Sequence, residues 1–522
     1  MAHILLHCII SIAERTGCAR NTDPISFYAT HRLLRTIDQT LKYGKCEMAE
    51  LRRNNLTLVE AVGQSVCSLS PTFTPALGVA VVGGMAGANS WLVYLLATIS
   101  VTIVGINIGK LAKRIPAAGS FFLYVSRTLG PSWGLLSGWA MLVAYLFTAV
   151  ALTVATSIFF KDFFGAIGFK TLPPDWLIYV AVSALIFVLA YRDVKLSTRF
   201  GLTLEALSVL AIIVVCFLIW KSFGFKIDAP QVHLQGASFG SIAPAIVFAI
   251  FSWVGFESAA TLSKEIKNPE VVVPQAIVAT AIAVGIFFIA TTYFVVLGFH
   301  DDATKLGASA APFSDVAAAS KLGTFVTTFI YFAAMISCFA CSLGQLTAFA
   351  RMLFSLGRYE FVHRSMGTVH DKHASPHIAL AVGTVLNAVL CIAFMSAGET
   401  NLVGYFGTIA TFGFIFVYLL CSIAAPILLY RDGTLTAGTV ILGVLGVIAM
   451  AGAFFGSVYP VPAAPYNYFP YGFLVYMLLG VAWFFILKMR APKVLLGIEH
   501  DMESMATAET FGKMEAVGSG AE

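Results

Sequence analysis

Formal charge is what this sequence has least of. Charged side chains make up 11% of the 522 residues, against about 25% in soluble domains, so an ordinary solvated surface is excluded. Histidine is missing from every long apolar stretch. All ten (3, 7, 31, 233, 300, 363, 370, 373, 377 and 500) fall between such stretches, which excludes a haem-bearing subunit with axial histidines inside the membrane. Cysteine is missing from the outer loops: three of nine precede residue 48, and Cys67, Cys216, Cys338, Cys341, Cys391 and Cys421 lie in apolar stretches. A disulfide framework is therefore not expected, and the Cys338–Cys341 pair reads as small core residues because it lacks the further ligands a metal site needs. No G-x-x-x-x-G-K-[ST] run occurs, which removes nucleotide-driven pumping within one chain.

What is there is apolar sequence: 58% hydrophobic residues and a mean hydropathy of +0.85. A bilayer requires about 20 apolar residues per crossing and admits only helices or closed barrels. Twelve stretches qualify as helical spans: 57–82, 90–109, 132–160, 176–191, 201–220, 241–262, 274–299, 322–356, 378–397, 402–429, 436–456 and 471–487. The expectation is an all-α integral membrane protein. With the N-terminus inside, basic residues from position 48 onward divide twenty on the inner side to six on the outer, which places both termini in the cytoplasm under the positive-inside rule. The net charge of +5 follows from that topology, and nucleic acid is not an expected partner.

Residues 1–47 stand apart. Their apolar run, Ile4 to Ala13, contains His7 and is followed by Glu14 and Arg15, which fits neither a span nor a secretory signal. Met48 then opens a stretch only nine residues before the first span. The segment reads either as a dispensable upstream start or as an ordinary tail.

Two spans are interrupted. The first carries Pro71 and Pro75 among the hydroxyls of Ser68, Ser70, Thr72 and Thr74; the sixth carries Ser252, Gly255 and Glu257. They stand five spans apart, and because five is odd the second crosses the bilayer in the opposite sense to the first. Paired interruptions in matching positions point to a transporter's midplane site. A broken helix offers N–H groups at one end and C=O groups at the other, a pair complementary to a zwitterion.

The run Phe251 to Pro269, F-S-W-V-G-F-E with K-E-I-K-N-P and then Pro274, resembles the sixth-span motif of the amino acid–polyamine–organocation (APC) transporters. The stretches 111–131 and 350–360 with 369–376 resemble that family's inner loops, so the likeness covers about 48–490. It implies a five-plus-five inverted repeat of the leucine-transporter type with two extra helices and with helices 1 and 6 broken. The first repeat would be 48–220, the second 241–429, helices 11–12 436–487 and a cytoplasmic tail 488–522. It implies that Phe251 closes over substrate, that Gly255 is the break, and that Glu257 gates or senses protons. Trp253 adjoins the break. In span one the chain reads S-L-S-P-T-F-T where many members have a G-S-G-I-F-like run, so individual contacts there are unassigned.

Among buried ionisable groups, Glu257 is central and reads either as a gating group or as a cap on the broken helix. Glu205, Glu60 and Arg351 lie near inner helix ends, where long side chains snorkel. Tyr145, Ser337 and Ser342 are further candidates for the cavity wall. In several proton-coupled APC members, a lysine eleven residues after the serine that opens span five reaches the span-one break. Counting from Ser197 lands instead on Ser208, and no lysine lies between Lys195 and Lys221. Coupling then falls to a bound sodium ion, to a carboxylate such as Glu257 or Glu205, or to no ion at all.

The expectation is a secondary transporter of amino acids or related amines across the cell membrane, with neither catalytic residues nor cofactor beyond a coupling H+ or Na+. An intramembrane enzyme would need paired carboxylates, a nucleophile with its base, or a metal cluster at depth. A channel would need a filter loop or charged rings. A potassium or metal-ion importer of the same fold is the alternative, because hydroxyls and helix-end carbonyls also bind cations.

Overall fold

In this computed structural model the described residues are 57–115, 121–192, 198–262, 266–319, 324–358, 360–368, 370 and 375–490. The readings for 1–47, for the tail beyond 490, and for the loop motifs at 116–120, 193–197, 263–265 and 371–374 lie outside them. Among the described residues the chain is helical, with no strand element.

Helix α1 (Leu58–Leu69) starts on a capping box in which the Thr57 backbone N–H donates to Glu60 at 2.9 Å. Glu60 thus acts as a helix cap. The helix stops at Ser70, whose left-handed φ of +55° turns the chain. Pro71 follows and has no N–H to continue the ladder. A π turn (Thr74–Gly78) then leads into α2 (Val79–Ala86). Helices α3 (Ser90–Arg114), α4 (Phe121–Leu129), α5 (Pro131–Ala166), α6 (Asp175–Tyr191), α7 (Thr198–Ser222) and the short α8 (Ala229–Val232) complete the first half.

The second half also begins with an interrupted helix. Helix α9 (Phe239–Phe251) ends in a run of turns at 252–257, followed by a 3-10 turn at Ser258–Leu262. Helix α10 (Pro269–Gly298) is joined by α11 (Ala303–Ala308) and α12 (Pro312–Ala319) to α13 (Thr324–Arg358), α14 (His377–Ala393) and α15 (Glu399–Arg431). Helices α16 (Ala437–Gly456) and α17 (Phe469–Arg490) close the chain. His377, read from the sequence as lying before its span, is the first residue of α14.

Among the described residues, eight helices are long and apolar enough to cross a membrane, and α6, α9 and α14 are shorter apolar helices. The protein is a multi-pass membrane protein. Helices α7, α14, α16 and α17 present outward rows such as Leu210, Ile213 and Phe217, or Leu474, Leu478 and Leu479. In water such rows would be a liability; in lipid they face an apolar solvent. Inside, α5 packs on α13, α3 on α10, and α6 on α14.

The four-helix contact of α5, α6, α13 and α14 has a polar thread. Asn387 donates to Thr153 at 3.1 Å and to Ser183 at 2.9 Å, while Ser342 lies 3.0 Å from Thr153 and donates to the Ala149 carbonyl at 3.1 Å. Ser342, a sequence candidate for the cavity wall, is therefore engaged in holding these helices together.

Candidate functional site

The two interruptions meet. Gly255 has φ +101°, and a β-carbon on it would lie 2.6 Å from the Ser68 carbonyl oxygen. Only glycine both adopts that backbone and leaves room for that approach. The Ser68 carbonyl also accepts the Cys341 thiol at 2.9 Å, and the Ala259 amide donates to Ser65 Oγ at 3.1 Å. Most amides at the breaks bond within their own span, and these two contacts add partners from the opposite span and from α13, in keeping with burial at membrane depth.

Glu205 is the hub of the first break. Helix α7 begins at Thr198, so Glu205 stands two turns inside it and not at its end; its carboxylate is buried at the break, where sequence reasoning allowed for snorkelling. Thr72 Oγ1 donates to Glu205 Oε2 at 2.7 Å, and Ser337 on α13 donates to Oε1. The Thr72 backbone amide also faces the carboxylate. Ser208, one turn further along α7, lies 3.0 Å from Thr72 Oγ1, and Ser70 lies 2.6 Å from Ser337 Oγ. Each hydroxyl has one proton. The protons can therefore run from Ser70 through Ser337 to the carboxylate, while the single Thr72 proton lies between the carboxylate at 2.7 Å and Ser208 Oγ at 3.0 Å. Of the sequence candidates, Ser70, Thr72, Ser208, Glu205 and Ser337 form one network.

Glu257 holds the corresponding place at the second break. Its carboxylate lies against its own N–H and that of Gly255. It also accepts the Tyr418 hydroxyl from α15 at 3.4 Å. Tyr145, edge-on to Phe414, is close enough to Glu257 to feel its charge. No lysine, arginine or histidine acts on either Glu205 or Glu257 among the described residues.

Phe251 packs edge-on to Phe73 at 6.0 Å and tilted against Phe248 at 5.5 Å. Those contacts carry the aromatic ring of the second break onto the first. Trp253 faces the other way: its indole N–H donates to the Ala281 carbonyl at 3.3 Å, and its ring meets Tyr94 and Phe288. Ser252 lies 3.5 Å from the Tyr94 hydroxyl, and Thr74 Oγ1 is buried with no partner. Arg351 is exposed on α13, well clear of the network.

Sequence reasoning missed Tyr94, Tyr418 and the donor role of Cys341. Nothing in a helix of apolar residues marks which tyrosine faces a break, and a buried thiol in a C-x-x-C spacing looks the same whether or not it meets a carbonyl.

Two interrupted helices crossing at depth, with polar side chains turned onto the interruptions, make the interior of a permease. The amino acid permease family profile matches residues 73–495, and the chain belongs to that family of the APC transporters, which are transporters and not enzymes. It is 28% identical over 373 residues to the low-affinity putrescine importer PlaP of Escherichia coli (strain K12), covering 70% of this chain and 79% of that protein. It is 22% identical over 324 residues to the branched-chain amino acid permease BcaP of Bacillus subtilis (58% and 67%) and 23% identical over 313 residues to the serine/threonine exchanger SteT of the same organism (57% and 67%).

Proposed function

We propose that the chain is a secondary active transporter of amino acids or related amines, working by alternating access across the cell membrane. The contact of Gly255 with Ser68 carries the reading, since it joins the two breaks at one place and leaves each with its own carboxylate. Twelve spans in a five-plus-five inverted repeat with two added helices account for the packing. Counting α1 with α2 as span one and α9 with its 3-10 turn as span six, each of the first four spans touches its counterpart five spans on. The groups around the breaks follow the same relation: spans five and eight supply Glu205 and Ser337 to the first, and spans ten and three supply Tyr418 and Tyr145 to the second. The basic-residue count supports an orientation with both termini inside.

Glu205 is the proposed coupling group. An ionised carboxylate accepts both Thr72 and Ser337; a protonated one carries an O–H of its own, so a hydroxyl such as that of Ser337 must turn to accept it and direct its own proton to Ser70. Protonation therefore reverses hydrogen bonds in the network that joins the first break to α7 and α13, and this rearrangement is the proposed tie between proton binding and the movement of one helix bundle against the other. Sodium coupling would require the same hydroxyls to turn their lone pairs toward an ion. None of the relatives named above is described as an importer of potassium or of a metal ion, and that alternative gains nothing from them.

A thermal-shift screen of the purified chain against the twenty amino acids, diamines and alkali cations tests the reading, because a ligand of the folded state raises its apparent stability. Stabilisation by an amino acid or amine is expected. Stabilisation by alkali cations alone overturns it.

A further inference from the structure

Two buried hydroxyl residues, Thr74 and Tyr94, border a single glycine, Gly78, and Ser252 lies beside the second of them. Thr74 opens the π turn, is fully buried, and its Oγ1 has no hydrogen-bond partner. Tyr94 is fully buried on α3, and its hydroxyl is 3.5 Å from Ser252 Oγ, long against the roughly 2.7–2.8 Å usual for O–H···O. A β-carbon on Gly78 would stand 3.7 Å from the Tyr94 hydroxyl oxygen, 3.8 Å from Thr74 Cβ and 3.5 Å from the Phe73 ring, ordinary contacts all. The spot beside Gly78 is therefore bordered by the Tyr94 hydroxyl and the Thr74 side chain and holds a group of methyl size.

The tyrosine is also held in place. Its ring centroid lies 6.1 Å from Trp253 and 5.9 Å from Phe288, these two rings meet edge-on at 5.1 Å, and the Trp253 indole is anchored on Ala281. Trp253 is thus a positioning residue: it fixes where the Tyr94 hydroxyl points. Holding an underused hydroxyl rigid inside a membrane protein costs free energy unless something comes to bond it.

We infer that Thr74, Tyr94 and Ser252 form a specificity subsite that receives a hydrogen-bonding group of the substrate, so that polar amino acids or amines with a second polar end are selected over their aliphatic isosteres. This rests on the transporter reading above and deepens it. The hydroxyls are neutral and each can donate or accept, so the subsite suits a hydroxyl, an amide or an amine. A site built around such bonds discriminates against an isostere that lacks the group, because its own polar atoms are then left buried and unpaired.

Isosteric pairs test it directly. Binding of L-threonine against L-valine, and of 4-amino-1-butanol against pentylamine, is measured by thermal shift on the purified full chain. In at least one pair the polar member binds on the order of tenfold or more tighter. Tyr94→Phe keeps the ring packing and Gly78→Ala adds only a methyl within ordinary contact, so both fold, and both bring the ratio toward one. Equal binding within both pairs overturns the inference. So does an unchanged ratio in Tyr94→Phe, which would mean that the hydroxyls are structural or bridged by water. If no amino acid or amine binds at all, the transporter reading fails and takes this inference with it.

Discussion

The space that a side chain on Gly255 would need is taken by the carbonyl of Ser68, 2.6 Å from the β-carbon position. Two spans that are far apart in sequence are thereby brought into backbone contact at their interruptions. Everything proposed for this protein depends on that contact being available.

Gly255→Ala should therefore be damaging out of proportion to its size. The left-handed φ of +101° strains any L-residue, by about 1–3 kcal/mol, and the methyl must also displace the Ser68 carbonyl. Unfolding of the detergent-solubilised variant measures the first effect and uptake in proteoliposomes the second; both should fall. Wild-type stability with wild-type uptake would show that the breaks are not in contact.

At one mouth of the bundle, Asp301 follows α10 and faces Asp228. Burial and the neighbouring carboxylate raise its pKa from the usual carboxylate range to about 6, and Asp301 Oδ1 and Asp228 Oδ2 have no hydrogen-bond partner. A raised carboxylate pKa means that the folded state holds its proton more tightly than the unfolded one. This pair thus weakens the fold as pH rises from about 4 to about 6, and the full penalty persists above that window. Asp301→Asn should raise the melting temperature at pH 7 and flatten its pH dependence between about 4 and 6. A lower melting temperature at pH 7 contradicts the assignment.

A second cluster joins α5, α6 and α15. Lys161 Nζ is 2.8 Å from Asp175 Oδ1 and 2.6 Å from Glu399 Oε2, and Glu399 also accepts Tyr179 at 3.1 Å and Ser157 at 3.0 Å. The Lys161 and Glu399 side chains are only 26% and 17% exposed, so solvent screens the pair only in part and Glu399→Gln, which leaves Lys161 with Asp175, should cost about 2 kcal/mol. Chemical unfolding at low and high salt checks this, with the larger loss expected at low salt.

The sequence was most legible where physics acts through composition. Apolar runs and the basic-residue bias define spans, and Pro71 and Gly255 mark interruptions because one lacks an N–H and the other tolerates a backbone that other residues do not. The network of the first break was legible only in part. Ser208 came from counting along a related pattern, and Glu205 was classed with helix ends because the start of α7 could not be read. Tyr94 and Tyr418 were invisible: both sit in helices apolar all round, and which side faces a break is decided by packing between spans distant in sequence. Trp253 adjoins the break in sequence, yet its side chain points into the packing between α3 and α10.

The most direct measurement of the central claim is uptake into proteoliposomes under separately imposed pH and sodium gradients, with the substrate found in the stability screen, for the wild-type chain and for Glu205→Gln. Glutamine keeps the size and one acceptor of the carboxylate but cannot take up a proton. The wild type should respond to the pH gradient and not to sodium, and the variant should still bind substrate while losing that response. Stimulation by sodium alone, or a Glu205→Gln variant whose response to the pH gradient is unchanged, would contradict the assignment of Glu205 as the coupling group.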